Sequence, residues 1–287
     1  MLLPADAAIG AVHLTIASLE RSVGFYEGHL GFRTHQRSAA TAALGAGGDD
    51  LLVLHESASA PRVTRTTGLY HFAILVPSRL ELARSLQRLA GKRTPMQGFS
   101  DHGVSEAIYL ADPDGNGIEV YRDRPRAEWP ITDGRLRMVS EPLDIEDLLG
   151  EAQSGFEAAP APWTGLAPET RIGHVHLHVS FLEDTAEFYR DLLGFTLTQR
   201  YGESALFFAA GDYHHHVGAN VWAGVGAPRP PAGAIGLRHF EVRLPDQSSV
   251  DAVVSRVREA GRDVRLTGAG AALADPSGNQ IMFSAPR

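Results

Sequence analysis

Short stretches of alternating apolar and polar residues dominate the pattern of this chain. In Ile9–Ile16, alternation places Leu14 on an apolar side and His13 on the opposite, polar side, which predicts a half-buried β-strand. A helix is predicted next, because Ser18 can cap its start and Gly31 can end it. The opening of the chain therefore has the pattern of a strand followed by a helix.

The same order returns further along the chain. Leu69–Val76 alternates as a strand with His71 on its polar side, and Ser78 can cap the helix that follows. Ser105–Tyr121 then predicts a hairpin, because its central DPDGNG supplies the proline and glycine that tight turns need. Alternation in its second strand directs Glu119 away from the apolar layer.

A repeat is the strongest organisational signal in the chain. Three pairs of segments show it. Two pairs are displaced by 163 residues: Ile9–Ile16 with Ile172–Val179, and Asp112–Asn116 with Asp275–Asn279. The third pair, Gly68–Pro77 with Gly236–Pro245, is displaced by 168 residues. Each half thus contains two similar units of one strand, one helix and further strands. The pattern predicts an α+β protein built from four βαβββ modules, two in each domain.

The repeat also predicts the domain limits. We expect a first domain at residues 1–125, a linker with a short helix (Leu143–Ala152) at residues 126–170, and a second domain at residues 171–287. Short connectors favour pairing of consecutive modules, so that each half forms its own domain. Alternatively, the modules exchange partners, and side chains from both halves combine in one site.

Composition narrows the range of functions. The 287 residues are 44% hydrophobic and 21% charged, carry a net charge of −8 and include no cysteine. No apolar run approaches the roughly 20 residues of a membrane span, and the start of the chain lacks the features of a signal peptide. Without a basic cluster, nucleic acid is not expected as a partner. We expect a cytoplasmic protein that acts on a small molecule.

The predicted strands offer ligands for a metal ion. His13, His71 and Glu119 all lie on the polar sides of their strands, and the absence of cysteine leaves His, Asp and Glu as the strong ligands. Two histidines and one carboxylate form the facial triad of non-haem Fe(II) oxygenases, which leaves positions open for substrate and O₂. Mn(II) or Zn(II) could use the same ligands.

The second half departs from this pattern. His176 corresponds to His13 and His239 to His71, but Met282 replaces the carboxylate of Glu119. Strand alternation through Tyr213–Trp222 makes His215 a candidate partner of the two histidines. A second or vestigial metal site of His176, His215 and His239 is therefore a further expectation.

These residues resemble a known family. The repeated module, the His/His/Glu arrangement and the DPDGN turn are similar to the vicinal oxygen chelate superfamily of glyoxalases, bleomycin resistance proteins and extradiol dioxygenases. Four segments resemble its bacterial two-domain catechol-2,3-dioxygenase-like members: YHFAILVPSR, SDHGVSEAIYLADPDGNGIEVYRDRP, IGHVHLHV and GDYHHHVGANVWAG. The resemblance implies half-open mixed β-barrels with helices outside.

The resemblance also implies an activity. Such an enzyme uses Fe(II) to cleave a small aromatic diol of the catechol type with O₂, beside the diol. His215 fits the acid–base histidine of the family, Tyr109 fits the tyrosine near the substrate, and His102 could exchange a proton. The alternatives are a glyoxalase-like metal-dependent isomerase or transferase and a non-catalytic protein that binds aromatic drugs. A homodimer is left open.

Overall fold

The computed structural model describes residues 2–154 and 163–286. Within these ranges it contains eighteen strands and five α-helices, and sixteen of the strands form two eight-stranded mixed sheets. The predicted α+β class is therefore confirmed. Residues 155–162 of the predicted linker lie outside the described residues. No described helix has both the length and the apolar character needed to cross a membrane.

The first two modules follow the order that the hydrophobic pattern predicts. Module one consists of β1 (Ala8–Ile16), α1 (Leu19–Phe25), β2 (Arg33–Arg37), β3 (Thr41–Gly45) and β4 (Asp50–Glu56). Module two consists of β5 (Gly68–Leu75), α2 (Arg79–Gly91), β6 (Met96–Asp101), β7 (Ser105–Ala111) and β8 (Gly117–Asp123).

The linker and the second half complete the chain. The linker contains β9 (Ile131–Thr132), β10 (Arg135–Leu136) and α3 (Ile145–Ser154). Module three consists of β11 (Arg171–His178), α4 (Leu182–Ala186), β12 (Thr196–Tyr201), β13 (Ala205–Ala209) and β14 (Val217–Asn220). Module four consists of β15 (Gly236–Arg243), α5 (Gln247–Glu259), β16 (Arg265–Thr267), β17 (Gly270–Ala274) and β18 (Gln280–Ser284).

The predicted helix signals act as expected. The Ser18 side chain accepts a hydrogen bond from the Arg21 amide at the start of α1, and the Ser78 side chain accepts one from the Glu81 amide at the start of α2. Helix α1 continues into a π-helical turn that ends at Gly31, whose φ of 79° favours glycine.

The order of strands shows how the modules pair. One sheet has the order β16-β17-β18-β15-β1-β4-β3-β2, and the other has the order β12-β13-β14-β11-β5-β8-β7-β6. Module one therefore neighbours module four, and module two neighbours module three. The expected pairing of consecutive modules does not occur, and the alternative, in which modules exchange partners, is the arrangement in the sheets.

Residue contacts divide the chain into two compact units. Unit one comprises Met1–Thr15, Ser59–His71 and Gly173–Arg287, and unit two comprises Ile16–Ala58 and Phe72–Ile172. In unit one, β1 runs antiparallel to β15, while β15 and β18, like β11 and β14, are parallel. In unit two, β7 and β8 form the predicted antiparallel hairpin.

The DPDGN turn of unit two is held together by one buried carboxylate. Asp112 Oδ1 accepts hydrogen bonds from the amides of Asp114 (2.8 Å) and Asn116 (2.9 Å). Asp112 Oδ2 accepts from Asn116 Nδ2 (2.8 Å) and from the Tyr26 hydroxyl (2.9 Å). Gly115 supplies the positive φ of 88°. The carboxylate therefore connects the turn that precedes β8 to the end of α1.

Unit one repeats this arrangement with the corresponding residues. Asp275 accepts from the Asn279 amide and side chain, both at 2.9 Å, and from the Tyr189 hydroxyl at 3.3 Å. Burial raises the pKa of both tyrosines well above the usual value, and the nearby aspartates raise it further. Each hydroxyl thus remains a hydrogen-bond donor to its carboxylate.

The Tyr26 hydrogen bond makes a testable contribution to stability. We expect Tyr26→Phe to lower the free energy of unfolding by roughly 1.5–3 kcal/mol, because a buried charge-assisted hydrogen bond is lost. Urea denaturation followed by circular dichroism measures the change. Tyr201→Phe is the matched control, because Tyr201 is 52% exposed, and it should alter stability by no more than about 0.5 kcal/mol. Equal stability of Tyr26→Phe and the control would contradict the assigned role of this hydroxyl.

Candidate active site

Two buried histidines of unit one meet at their ring nitrogens. His71 on β5 and His174 on β11 have Nε2 atoms 3.3 Å apart, and their exposed fractions are 6% and 2%. Imidazole nitrogens are common metal ligands, and two of them this close together can bind the same ion.

Strand β11 brings further histidines to this region by alternation. His174, His176 and His178 follow one another at every second position, so their side chains share one face of the strand. The parallel partner β14 places Gly218 opposite His176. A Cβ atom at Gly218 would lie 2.9 Å from the His176 ring, so glycine leaves the space that this ring occupies.

His215 lies just before β14 and contacts the same cluster. Its ring centroid is 4.1 Å from that of His174, and its Nδ1 is 2.8 Å from His214 Nδ1. Burial lowers the pKa of His215 well below its usual value, and the neighbouring histidines His174 and His214 lower it further. The residue is therefore neutral near pH 7. The predicted strand through Tyr213–Trp222 is shorter than expected, because β14 begins only at Val217.

Two aromatic side chains lie beside these histidines in unit one. The Tyr70 ring is edge-on to His176 at 5.3 Å and to Trp222 at 5.1 Å, and the His176 and Trp222 rings are 5.3 Å apart. Tyr70 is 39% exposed and Trp222 is 48% exposed. These rings offer flat apolar surface next to the buried histidines.

In unit two, the hairpin of β7 and β8 presents a carboxylate and a phenol side by side. Glu119 on β8 lies directly opposite Tyr109 on β7, and directly opposed residues of an antiparallel pair share a face. Glu119 is only 2% exposed. Buried carboxylates are hydrogen-bonded, paired with a charge or bound to a cation, so Glu119 is a candidate metal ligand at this position.

A hydrogen bond to the Val139 carbonyl defines the tautomer of His102. His102 Nδ1 lies 2.7 Å from the Val139 carbonyl oxygen, which can only accept, so Nδ1 carries the proton. In the neutral ring, Nε2 is then an acceptor, and it lies 2.7 Å from the Tyr109 hydroxyl. Tyr109 therefore donates its proton toward His102. The linker residue Val139 determines this arrangement, which the sequence pattern did not indicate.

A buried ion network supports the same hairpin. Glu106 on β7 accepts from Arg79 Nε at 2.9 Å, Arg122 Nε at 2.7 Å and Arg124 Nη2 at 3.0 Å. Arg124 also binds Asp101, the residue immediately before His102. Removal of one member would leave buried charge without compensation, so the network restrains the hairpin strongly.

The ligand atoms of three buried residues lie close enough together to bind one metal ion. One nitrogen each from His71 and His174 and one oxygen of Glu119 all lie within 4.8 Å of one another. A second group of this kind consists of His13, His239 and Glu241. Among the residues that the structure describes, these are the two groups of three or more such side chains.

The three predicted metal ligands do not form one group in the structure. His71 and Glu119 come together, but His13 lies opposite His239, because β1 pairs with β15. The expected second set of His176, His215 and His239 is likewise not one of the groups within the described residues, since His239 lies with His13. Module exchange separates these residues.

His174 and Glu241 are the two members of these ligand groups that the sequence pattern did not predict. The repeat assigns His176 as the counterpart of His13 and leaves His174 opposite Ala11 in the alignment. Glu241 corresponds to Ala73 in the same way. The available signal was the alternating His174, His176 and His178, which places three histidines on one strand face.

Comparisons with known proteins agree with this architecture. The model of the Glyoxalase/Bleomycin resistance protein/Dioxygenase superfamily matches residues 8–120 and 171–283. A catechol-2,3-dioxygenase of Bacillus subtilis (strain 168) is 47% identical over 284 residues, which cover 97% of each chain. The family model thus matches both halves of the repeat, and the relative aligns with 97% of this chain.

Solved structures share the fold at low sequence identity. A candidate dioxygenase from Bacillus subtilis subsp. subtilis str. 168 aligns with a TM-score of 0.67 at 14% identity, over 99% of this chain and 86% of the other. A glyoxalase I variant from Zea mays aligns with a TM-score of 0.61 at 15% identity, over 97% and 94%. With the family match over both halves, the chain belongs to the glyoxalase, bleomycin resistance protein and dioxygenase superfamily.

Proposed function

We propose that this protein is an Fe(II)-dependent extradiol dioxygenase that cleaves a catechol-type aromatic diol with O₂. The observation that carries the proposal is the buried group of His71, His174 and Glu119. It occurs in a chain that is 47% identical to a catechol-2,3-dioxygenase along almost its full length. Fold alone does not identify an activity, so the proposal rests on this site.

The donor atoms suit a divalent transition metal. Two ligand atoms about 2.1 Å from one ion lie roughly 3 Å apart when they subtend a right angle. The 3.3 Å between the His71 and His174 nitrogens is compatible with that geometry. Two imidazoles and one carboxylate match the facial triad of Fe(II) oxygenases, and Mn(II) or Zn(II) could use the same atoms. Bound there, the ion would lower the pKa of a coordinated phenol and hold diol and O₂ as neighbours.

His215 is proposed to exchange the substrate proton. It is neutral, buried and in ring contact with His174, so it lies beside the proposed ligands with a nitrogen that can accept. A neutral imidazole can take a proton from a diol hydroxyl and return it later in the reaction. His214 fixes one ring nitrogen of His215 by hydrogen bonding and so orients the other.

Tyr109 and His102 are proposed to handle a second proton in the reaction. Tyr109 shares a strand face with Glu119, and its hydroxyl proton is directed to His102 Nε2. A phenol oxygen in that state is an acceptor, and it can become a donor when the ring of His102 is protonated. The pair can therefore hold and return one proton close to the Glu119 carboxylate.

Tyr70 and Trp222 are proposed to contact the aromatic ring of the substrate. Both are partly exposed and lie beside His176, and their ring faces suit flat apolar ligands. Such a wall excludes water from one side of the ring and favours an aromatic diol over a small aliphatic substrate.

The proposed activity has a direct assay. We expect anaerobically prepared, Fe(II)-loaded protein to consume one O₂ for each catechol and to form a yellow ring-cleaved semialdehyde. An oxygen electrode and absorbance spectroscopy over a panel of catechols and hydroquinones measure both. Turnover of methylglyoxal with glutathione without O₂ uptake would support the glyoxalase-like alternative instead. Tight aromatic binding without turnover would support a drug-binding protein.

Loss of the ligand charge should remove the metal. We expect Glu119→Gln to weaken Fe(II) binding by more than the roughly 10–100-fold typical of changes outside the coordination shell, because it replaces the only anionic ligand. Metal content after anaerobic gel filtration measures this. Glu20→Gln is the matched control, since Glu20 is exposed on α1, and it should retain wild-type iron content. Full iron retention by Glu119→Gln would exclude Glu119 as a ligand.

Tyr109 and His102 should affect turnover more than metal binding. We expect Tyr109→Phe and His102→Ala to lower kcat by roughly 10²–10⁴-fold while iron content stays unchanged, because both residues handle protons and neither is a proposed ligand. The double variant should be little worse than either single variant, since the two groups act as a unit. Steady-state kinetics with iron quantification distinguishes this outcome from a structural role, which would lower iron content or melting temperature in parallel.

A further inference from the structure

A second cluster of possible ligands lies within unit one and shares no residue with the proposed catalytic group. It consists of His13 on β1 with His239 and Glu241 on β15, and all three are partly exposed. Their ligand atoms lie within 4.8 Å of one another. We propose that these residues hold a second divalent transition-metal ion that links β1 to β15.

The pairing of β1 with β15 aligns the two histidines. His13 and His239 are direct partners in the antiparallel register, and their rings stack with centroids 3.9 Å apart and an angle of 22° between planes. The strand register therefore presents two imidazole rings side by side on β1 and β15, which is the arrangement that two ligands of one ion need.

The carboxylate is held with one oxygen toward the histidines. Glu241 Oε1 lies 3.5 Å from His13 Nε2. The other oxygen, Oε2, accepts a hydrogen bond from the Ala11 amide at 3.3 Å and lies 3.7 Å from Arg243 Nε. Partners on the outer oxygen of a ligating carboxylate fix its direction, which is the usual support around metal sites.

Small residues create the space for this carboxylate. A Cβ atom at Gly10 would lie 2.7 Å from Glu241 Oε2, closer than van der Waals contact allows. Ala11 stands where module three has His174, so module one contributes no second imidazole at that position. The Gly10 and Ala11 backbone thus forms a cradle into which the Glu241 side chain fits.

The cluster is not a copy of the proposed catalytic group. Met282 occupies the position that corresponds to Glu119, so a copied site would have no carboxylate. The anionic ligand instead comes from β15 itself, two residues after His239 and on the same strand face. Two imidazoles and one carboxylate favour borderline ions of the Zn(II) or Co(II) type. Such an ion would stabilise unit one by binding only its folded form.

Zinc stoichiometry tests the proposal. Metal-free full-length protein is dialysed against buffered Zn(II), and bound zinc per chain is measured by atomic emission. We expect two ions in the wild type, one in His239→Ala, one in Glu241→Gln and one in His71→Ala. The double variant His71→Ala/His239→Ala should bind none. Circular dichroism checks that each variant is folded, and Glu241→Gln retains the shape of the side chain.

Thermal denaturation supplies an independent readout. Zinc should raise the melting temperature of the wild type in two saturable steps, and Glu241→Gln should lose one of them. His35→Ala is the matched control, because His35 also lies beside a carboxylate, Asp50 at 2.8 Å, on the protein surface. It should keep both ions and both steps.

The outcomes separate this site from the proposed catalytic one. If His239→Ala and Glu241→Gln bind as much zinc as the wild type, the second site is refuted, whatever His71→Ala shows. If those two variants each lose one ion while His71→Ala loses none, the second site is supported and the catalytic assignment of His71 fails. A wild type that binds one ion, lost only in His71→Ala, would also refute the second site.

Discussion

The exchange of modules between sheets is the constraint on which the two ligand groups depend. Strand β1 pairs with β15 of module four, and β5 neighbours β11 of module three. The histidine-bearing strands β1 and β5 therefore each have a neighbouring strand from the other half of the sequence. Because side chains on paired strands are the ones close enough to share an ion, each ligand group combines residues far apart in the chain. His71 thus meets His174, and His13 meets His239.

Buried polar networks then position the groups that the strands bring close. The Asp112 carboxylate, in the turn before β8, accepts four hydrogen bonds, and Glu106 on the hairpin has three arginine partners. In a buried environment, each broken contact would leave a polar group without compensation, at a cost of several kcal/mol for charged groups. The hairpin that carries Tyr109 and Glu119 is consequently held rigidly, which is a requirement for a site that aligns several reactants.

Similar ligand types in the two groups occupy different environments. His71, His174 and Glu119 are buried, and the Tyr70 ring lies 5.0 Å from the His71 ring, so charge there interacts strongly and water is limited. His13, His239 and Glu241 are partly exposed, and their carboxylate already contacts a backbone amide and Arg243. An environment of the first kind suits reaction chemistry, whereas one of the second kind suits an ion that connects two strands. The corresponding positions differ in the same sense, since Met282 stands where module two has Glu119 and Ala11 stands where module three has His174.

The sequence by itself determined the modules, the turns and the types of ligand. Alternation and capping residues are local signals, so they predicted the opening strands, the starts of α1 and α2 and the hairpin that carries Glu119. The repeat and the family resemblance also predicted the fold class. Which histidine joins His71 could not be derived in this way, because equivalence within a repeat says nothing about which strands become neighbours. His174 has no histidine counterpart in the first half, and its role follows only from the proximity of β11 to β5. Strand pairing over more than one hundred residues depends on the packing of the whole sheet, so the tertiary structure alone decided both ligand groups.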